Sequence, residues 1–351
     1  PTSSTSPTDL AMPLPWSREL SGRLEQHWID SRALRGNPLG DPTRRPLWVY
    51  TPPTADDLPL PSVYVIQGMT GQVDMWGNRS PFAPTFVESL DAMFAAGDTP
   101  PCLVVLVDCW TSLGGSQFLD SPGTGHYHTY LCDEVVPFVD AGHATLAAAA
   151  HRGIAGRSSG GYGAMVTPML RPDLFGGLAS HAGDALFECC YQVEFPAVAR
   201  RLRERYEGRY ELFLEQFRAS PDRLAGADHA VLNAWTMAAC YSTDSDGTVR
   251  LPFDPSTGRL DPEVWQRWLA WDPVRMAETH AGALRGLRAV WIDAGRSDEF
   301  HLDLGAEAFR QALERVGVRD VAFDLFDGTH SGIGWRYPQA IAHLAERLSP
   351  A

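Results

Sequence analysis

Lysine is absent from this chain. All 29 basic residues are arginine, set against 43 acidic ones, so the formal charge is −14 at neutral pH. Without lysine the chain cannot build a phosphate-binding P-loop, a Schiff base or a Ser-Lys dyad. Concentrated positive charge is missing too, which argues against nucleic acid and anionic membrane as partners. The six cysteines, Cys102, Cys109, Cys132, Cys189, Cys190 and Cys240, show no C-x-x-C spacing, so neither a zinc site nor any other metal or cofactor is expected. Cys109 and Cys132 could pair in an oxidising compartment, but scattered cysteines in a large core are usually reduced. Long apolar runs are also lacking: Cys102 to Val107 is strand-sized, and no segment could span a bilayer. The polar stretch Pro1 to Thr8 has no hydrophobic signal core behind it, and residues 1–20 are expected to be disordered. A cytoplasmic location is expected, with secretion open if a signal preceded Pro1; nothing in the sequence bears on oligomeric state.

What is present fits a globular enzyme, with 44% hydrophobic and 21% charged residues in 351. Residues Gly22 to Ser31 and Leu47 to Thr51 read as two antiparallel strands at a sheet edge. From Val63 to Ile66 onward, strands alternate with helices: a helix at 82–96, a strand at 102–108, a helix at 129–140, a strand ending near Ala155, and a strand at 176–181. The alternation breaks at Ala185 and resumes with a strand at 287–293, a helix at 304–316, a strand at 321–326 and a helix at 338–348. The expected organisation is an α/β core over 21–184 and 272–351, with a helical cap inserted at 185–271. Within that insertion Phe195 to Ala219 reads as amphipathic helix. Trp265, Trp268 and Trp271, spaced by three, read as helix core more readily than as a ligand platform.

The stretch Gly156-Arg157-Ser158-Ser159-Gly160-Gly161 falls between a buried strand and a helix. Strand, Gly-rich turn with an apical serine, and helix together make a nucleophile elbow, in which flanking glycines let strand and helix approach closely. The Ser159 amide, at the start of the helix, can donate to a developing oxyanion. A second donor is expected from the loop Gln67-Gly68-Met69-Thr70, assigned to Met69 with Thr70 as the near alternative. A serine hydroxyl needs a base, and the base needs a carboxylate to hold it. His330, in the Gly-rich loop after the last strand, fits the base. Asp298 leads as the acid because it lies beyond the strand end; Asp293 and Glu299 remain rivals, and Asp327 is too close in sequence to His330. Gln67, Thr70, Trp76, Arg157 and His181 are the residues expected to bind substrate.

Taken with Gly115-Ser116-Gln117, Gly125-His126-Tyr127, Gly295 to Asp298 and Gly328-Thr329-His330, these motifs resemble the putative-esterase branch of the α/β-hydrolase fold. That branch includes esterase D, feruloyl esterases and the antigen 85 mycolyltransferases. The resemblance covers the chain from about Leu47, excluding the cap. It implies a mostly parallel sheet with helices on both faces, Ser158, Asp298 and His330 as triad, and the amides of Met69 and Ser159 as oxyanion hole. Gln67 stands where members often have His, Asp or Ser, and the segment 185–271 exceeds the usual insertion. Trehalose-binding features are not matched, which favours hydrolysis over acyl transfer.

The expected function is therefore that of a serine esterase acting on a small-molecule ester through an acyl-enzyme. The alternatives are an acyltransferase with the same triad, a lactone, thioester or amide hydrolase, and, least favoured, a non-catalytic binding module. His126 and His128 read as alternating across an extended segment and so as unsuited to share a metal. Asp244-Ser245-Asp246-Gly247 reads as an acidic turn, because Pro255 stands where a calcium loop would need glutamate.

Overall fold

Two apolar runs set the centre of the fold. In the computed structural model, which describes residues 19–53, 58–220, 222 and 226–350, β3 (Ser62–Ile66) and β4 (Leu103–Val107) are buried at every position. Strands covered on both faces are what near-continuous apolar sequence produces. Around them stand β1 (Arg23–Asp30), β2 (Arg44–Thr51), β7 (Arg152–Arg157), β8 (Gly177–His181), β9 (Ala289–Gly295) and β10 (Ala322–Phe326), in the order β1-β2-β4-β3-β7-β8-β9-β10. A two-residue pair, β5 (Asp120–Ser121) with β6 (Gly125–His126), lies in the long loop after β4. β1 pairs antiparallel with β2, and β2 with β4; every other pairing in the large sheet is parallel. The chain leaves β3 first for β4 on one side and then returns to β7 on the other. Such a reversal opens a crevice at the carboxyl ends of the strands, where ligands bind in open α/β sheets. The expected mostly parallel sheet with helices on both faces is thus present.

One face of the sheet is covered by the helices Phe86–Ala95 and Arg336–Leu348. The second sets Tyr337, Ile341, Leu344 and Leu348 against Val63, Val65, Ala155 and Ala179. The first begins with a capping box, Thr85 Oγ1 accepting from the Glu88 N–H (3.1 Å) and Glu88 Oε2 from the Thr85 N–H (2.7 Å). The other face carries the helix Ser159–Leu170 and the helices of the 185–271 segment. Phe187, Tyr191, Phe195 and Trp268 join Tyr64, Ile154 and Tyr162 in one apolar cluster. Trp265 and Trp268 are buried in that cluster, while Trp271 packs at its margin.

Local departures from the sequence reading have local causes. The helix expected over Phe195 to Ala219 is two, Phe195–Tyr206 and Tyr210–Ala219, because Glu207 (φ 54°) and Gly208 (φ 71°) are left-handed and close the first. His126 and His128 do not share one extended segment: His126 ends β6, a helical turn starts at Tyr127, and His128 Nδ1 bonds the Phe118 carbonyl at 3.1 Å. In the Asp244 turn, Gly247 N–H donates to the Asp244 carbonyl (2.9 Å) and the Asp244 carboxylate meets Arg267 at 2.6 Å. All six cysteines are free thiols. Among the described residues no helix is long and apolar enough to cross a membrane. Residues 1–18, most of the segment expected to be disordered, lie outside the described residues.

Candidate active site

Ser158 occupies the junction of β7 and the helix Ser159–Leu170 with φ 58° and ψ −126°, a conformation that L side chains avoid. Its backbone is held at both ends: its N–H donates to the His181 carbonyl (3.0 Å) and its carbonyl accepts from the Tyr162 N–H (2.9 Å). The closeness of strand and helix explains the flanking glycines. A Cβ on Gly156 would stand 2.3 Å from the Gly160 carbonyl oxygen, and one on Gly160 would stand 2.5 Å from that of Ile66. These neighbours are backbone and cannot swing aside. Gly160→Ala is accordingly expected to cost about 3 kcal/mol or more, whereas Gly282→Ala, which meets nothing within 4 Å in its helix, is expected to be neutral or mildly stabilising. Thermal unfolding of the two variants checks the difference; equal melting temperatures would refute the packing account.

The amide of Ser159, in the first helical turn, has no acceptor within its own helix. Opposite it, the Gly68 backbone lies against Arg157 and Ser158 so closely that a Cβ there would be 3.0 Å from the Arg157 carbonyl oxygen. In the same loop the Thr70 N–H donates to the Gly114 carbonyl (2.6 Å) and the Gly71 N–H to that of Gly68 (3.0 Å). The Thr70 amide is therefore committed elsewhere, while among the described residues the Met69 amide has no such acceptor. Gln67 anchors the loop: with its amide assigned the orientation that satisfies both atoms, its NH2 donates to the Val107 carbonyl (2.6 Å) and its oxygen accepts from the Cys109 N–H (2.7 Å). Asp108 secures the next turn, Oδ2 accepting from the Val73 N–H at 2.9 Å and Oδ1 facing Arg45 at 3.3 Å.

His330 Nδ1 lies 2.9 Å from Asp298 Oδ2, and the other oxygen of Asp298 accepts from the Phe300 N–H, also at 2.9 Å. The Asp298 side chain is fully buried and that of His330 nearly so. The neutral imidazole tautomer consistent with this contact carries its proton on Nδ1 and a lone pair on Nε2. Glu299 grips the same loop from outside, Oε2 accepting from the His330 N–H (2.8 Å), and that bond holds its carboxyl below the ordinary range. The half-exposed Phe300 ring stands edge-on to the imidazole, centroids 4.9 Å apart. Among the described residues no hydrogen bond joins Ser158 Oγ to His330 Nε2; in enzymes awaiting substrate such bonds often tighten only when substrate arrives.

The other carboxylates near the loop are engaged differently. Asp293 is entirely buried, with Oδ1 2.7 Å from His181 Nδ1 and Oδ2 accepting from Trp291 Nε1 (2.7 Å) and Arg336 Nε (2.8 Å). Burial alone would raise its carboxyl, but His181, Trp291 and Arg336 pull it below the ordinary value. Asp327 is exposed and pairs with Arg296 at 3.1 Å.

Of the residues expected to bind substrate, Thr70 is exposed and Arg157 partly so. Three others are not available. His181 is fully buried on Asp293, Trp76 packs between Phe86 and Tyr337, and Gln67 is spent on the ends of β4. The structure instead gathers a buried polar cluster that the sequence reading did not assign. Asp184 Oδ2 accepts from Tyr191 OH (2.7 Å), Gln117 Nε2 (3.1 Å) and Ser159 Oγ (3.3 Å), and Gln117 also donates to Tyr241 OH (2.8 Å). Burial pushes the Asp184 carboxyl up. The local signals were the Gly115-Ser116-Gln117 run, now seen to hold Gln117 and Phe118 at φ 51° and 55°, and the polar end of β8. A crevice lined by Gly68, Gln117 and Ser159 runs beside the cluster.

Sheet order, elbow and switch-point crevice define an α/β-hydrolase. The chain belongs to the family described as "Putative esterase", whose model matches residues 42–337, and is thus a hydrolase of an ester-cleaving family. Similar solved structures agree in fold. A ferulic acid esterase shares 17% identity at a TM-score of 0.61, over 94% of this chain and 100% of that one. An S-formylglutathione hydrolase from Agrobacterium tumefaciens shares 17% at 0.57, over 95% and 98%. The fluorophosphonate-binding serine hydrolase FphF of Staphylococcus aureus shares 14% at 0.56, over 94% and 99%. Comparison with curated proteins finds no match.

Proposed function

We propose that the protein is a serine carboxylic ester hydrolase working through an acyl-enzyme. The observation that carries this reading is Ser158 held at φ 58° and ψ −126° on the turn between β7 and its helix, outside even the left-handed region that non-glycine residues occasionally adopt. Ser158 Oγ attacks the ester carbonyl as His330 Nε2 takes its proton. The amides of Met69 and Ser159 donate to the oxyanion of the tetrahedral intermediate, with Thr70 set aside because its N–H is already bonded to Gly114. Asp298 keeps the Nδ1 proton in place and stabilises the imidazolium. His330 then protonates the leaving alcohol, and a water deprotonated by the same nitrogen releases the acid.

The helices of 185–271 act as the cap that shapes the acyl or alcohol site, a role supported by Tyr191 and Tyr241 reaching Gln117 and Asp184 beside Ser159. The test is intact-mass analysis after treatment with a fluorophosphonate, together with hydrolysis of an activated p-nitrophenyl ester. One adduct, mapped to Ser158, with steady turnover is expected. A chain that is neither labelled nor active would overturn the reading.

A further inference from the structure

Away from Ser158, beside the edge strand β1, three metal-binding side chains converge. Glu25 and His27 lie two residues apart on β1, so both leave the same face of the edge strand. His143 meets them from the turn after the helix Val136–Gly142. One donor atom from each of the three lies within 4.8 Å of the others.

Both backbones that carry these groups are fixed. β1 is paired along its length with β2, placing Glu25 opposite Val49 and His27 opposite Leu47. The His143 segment is tied to the start of β3, the Leu60 N–H donating to the Ala144 carbonyl and the Leu146 N–H to that of Leu60, each at 2.9 Å. His27 Nε2 is shielded from water and has no hydrogen-bond partner, and Glu25 Oε2 lies 3.7 Å from it. Arg23 Nε occupies the other Glu25 oxygen at 2.6 Å, which leaves Oε2 turned toward the histidines. The two imidazole rings stand edge-on with centroids 5.3 Å apart.

We propose that Glu25, His27 and His143 form a binding site for a divalent transition-metal ion of the zinc type. Two imidazoles and one carboxylate suit such an ion, whereas calcium and magnesium require mostly oxygen ligands. Metal–ligand distances of about 2.0–2.2 Å put donors roughly 3.4 Å apart in a tetrahedron, so the side chains must close by about 1 Å. The partly exposed Glu25 and His27 side chains have room to do so. A cavity of about 450 Å³ bordered by Glu25, Thr51, Leu60 and His143 opens beside the cluster and leaves space for a water or small anion as fourth ligand. The ion would tie the edge strand to the helix end, and its role is to hold the fold, independent of ester cleavage.

The experiment is equilibrium dialysis of the full chain against Zn²⁺ with metal analysis, paired with thermal unfolding. One equivalent bound and an upward shift of a few degrees in Tm are expected in the wild type. Both are expected to vanish in His27→Gln and in His143→Gln, and to persist in His128→Gln and His330→Gln. The far-UV circular-dichroism spectrum and the metal-free Tm of each variant report that it is folded, and a variant that fails to fold is replaced by Glu25→Gln, for which at least tenfold weaker binding is expected. No stoichiometric uptake, or uptake that survives the loss of His27 and His143 in folded protein, overturns the proposal whether or not Ser158 is active.

Discussion

Replacing Ser158 with alanine is expected to abolish fluorophosphonate labelling and to lower kcat by roughly 10⁶-fold, the scale on which serine triads fail when the nucleophile is removed. The fold should be unaffected. Alanine keeps the Cβ, so the strained backbone at φ 58° and its bonds to His181 and Tyr162 stay as they were. Ser158→Gly separates strain from chemistry. A non-glycine residue in this region costs about 1–3 kcal/mol, and glycine returns only about 0.5–1 kcal/mol of that as extra chain entropy. The glycine variant should therefore be as inactive as the alanine variant yet melt higher, by the equivalent of about 1 kcal/mol. Near-wild-type ester turnover in either variant would remove Ser158 from the reaction.

Asp298→Asn is expected to cost about 10⁴-fold in kcat at neutral pH, because an amide facing Nδ1 favours the imidazole tautomer that cannot accept from serine. Asp293→Asn should show the opposite pattern. It leaves buried Arg336 and His181 around a neutral amide, and breaking such a pair costs about 3–5 kcal/mol, while the folded fraction should turn over ester at close to the wild-type rate. The pH dependence supplies a second check. The folded carboxyl of Asp293 lies below its ordinary value, so its contribution to stability is present above about pH 4 and is lost as the pH falls through the depressed value. Asp293→Asn should flatten that acid limb. Kinetics and urea unfolding of the two variants, measured side by side from pH 3 to 8, decide the matter; a kcat loss greater in Asp293→Asn than in Asp298→Asn would exchange the roles assigned to them.

Local rules made much of this protein legible. Apolar runs of strand length, at Val63 to Ile66 and Leu103 to Val107, became the central strands, because a strand covered on both faces must be apolar on both. Gly156 and Gly160 announced the tight turn around Ser158, because the steric demand for glycine arises within a few residues. Asp298 and His330 could be singled out by their loops, since chain order in an alternating fold fixes which strand each loop follows. What stayed hidden depends on distant neighbours. Gln117 meets Tyr241 across 124 positions, a contact no local pattern encodes. His181 at its strand end and Trp76 in its loop resembled ligand-binding residues, but whether such a side chain faces substrate or core is set by what packs over it: Asp293 and Tyr337 in one case, Phe86 and Tyr337 in the other. By itself the sequence determined the α/β alternation, the elbow and the order of its polar loops, all products of short-range sterics and periodicity. Only the tertiary structure decided which carboxylate meets His330, which amides stay unbonded, and which polar groups are buried together, because those outcomes depend on the packing of segments far apart in the chain.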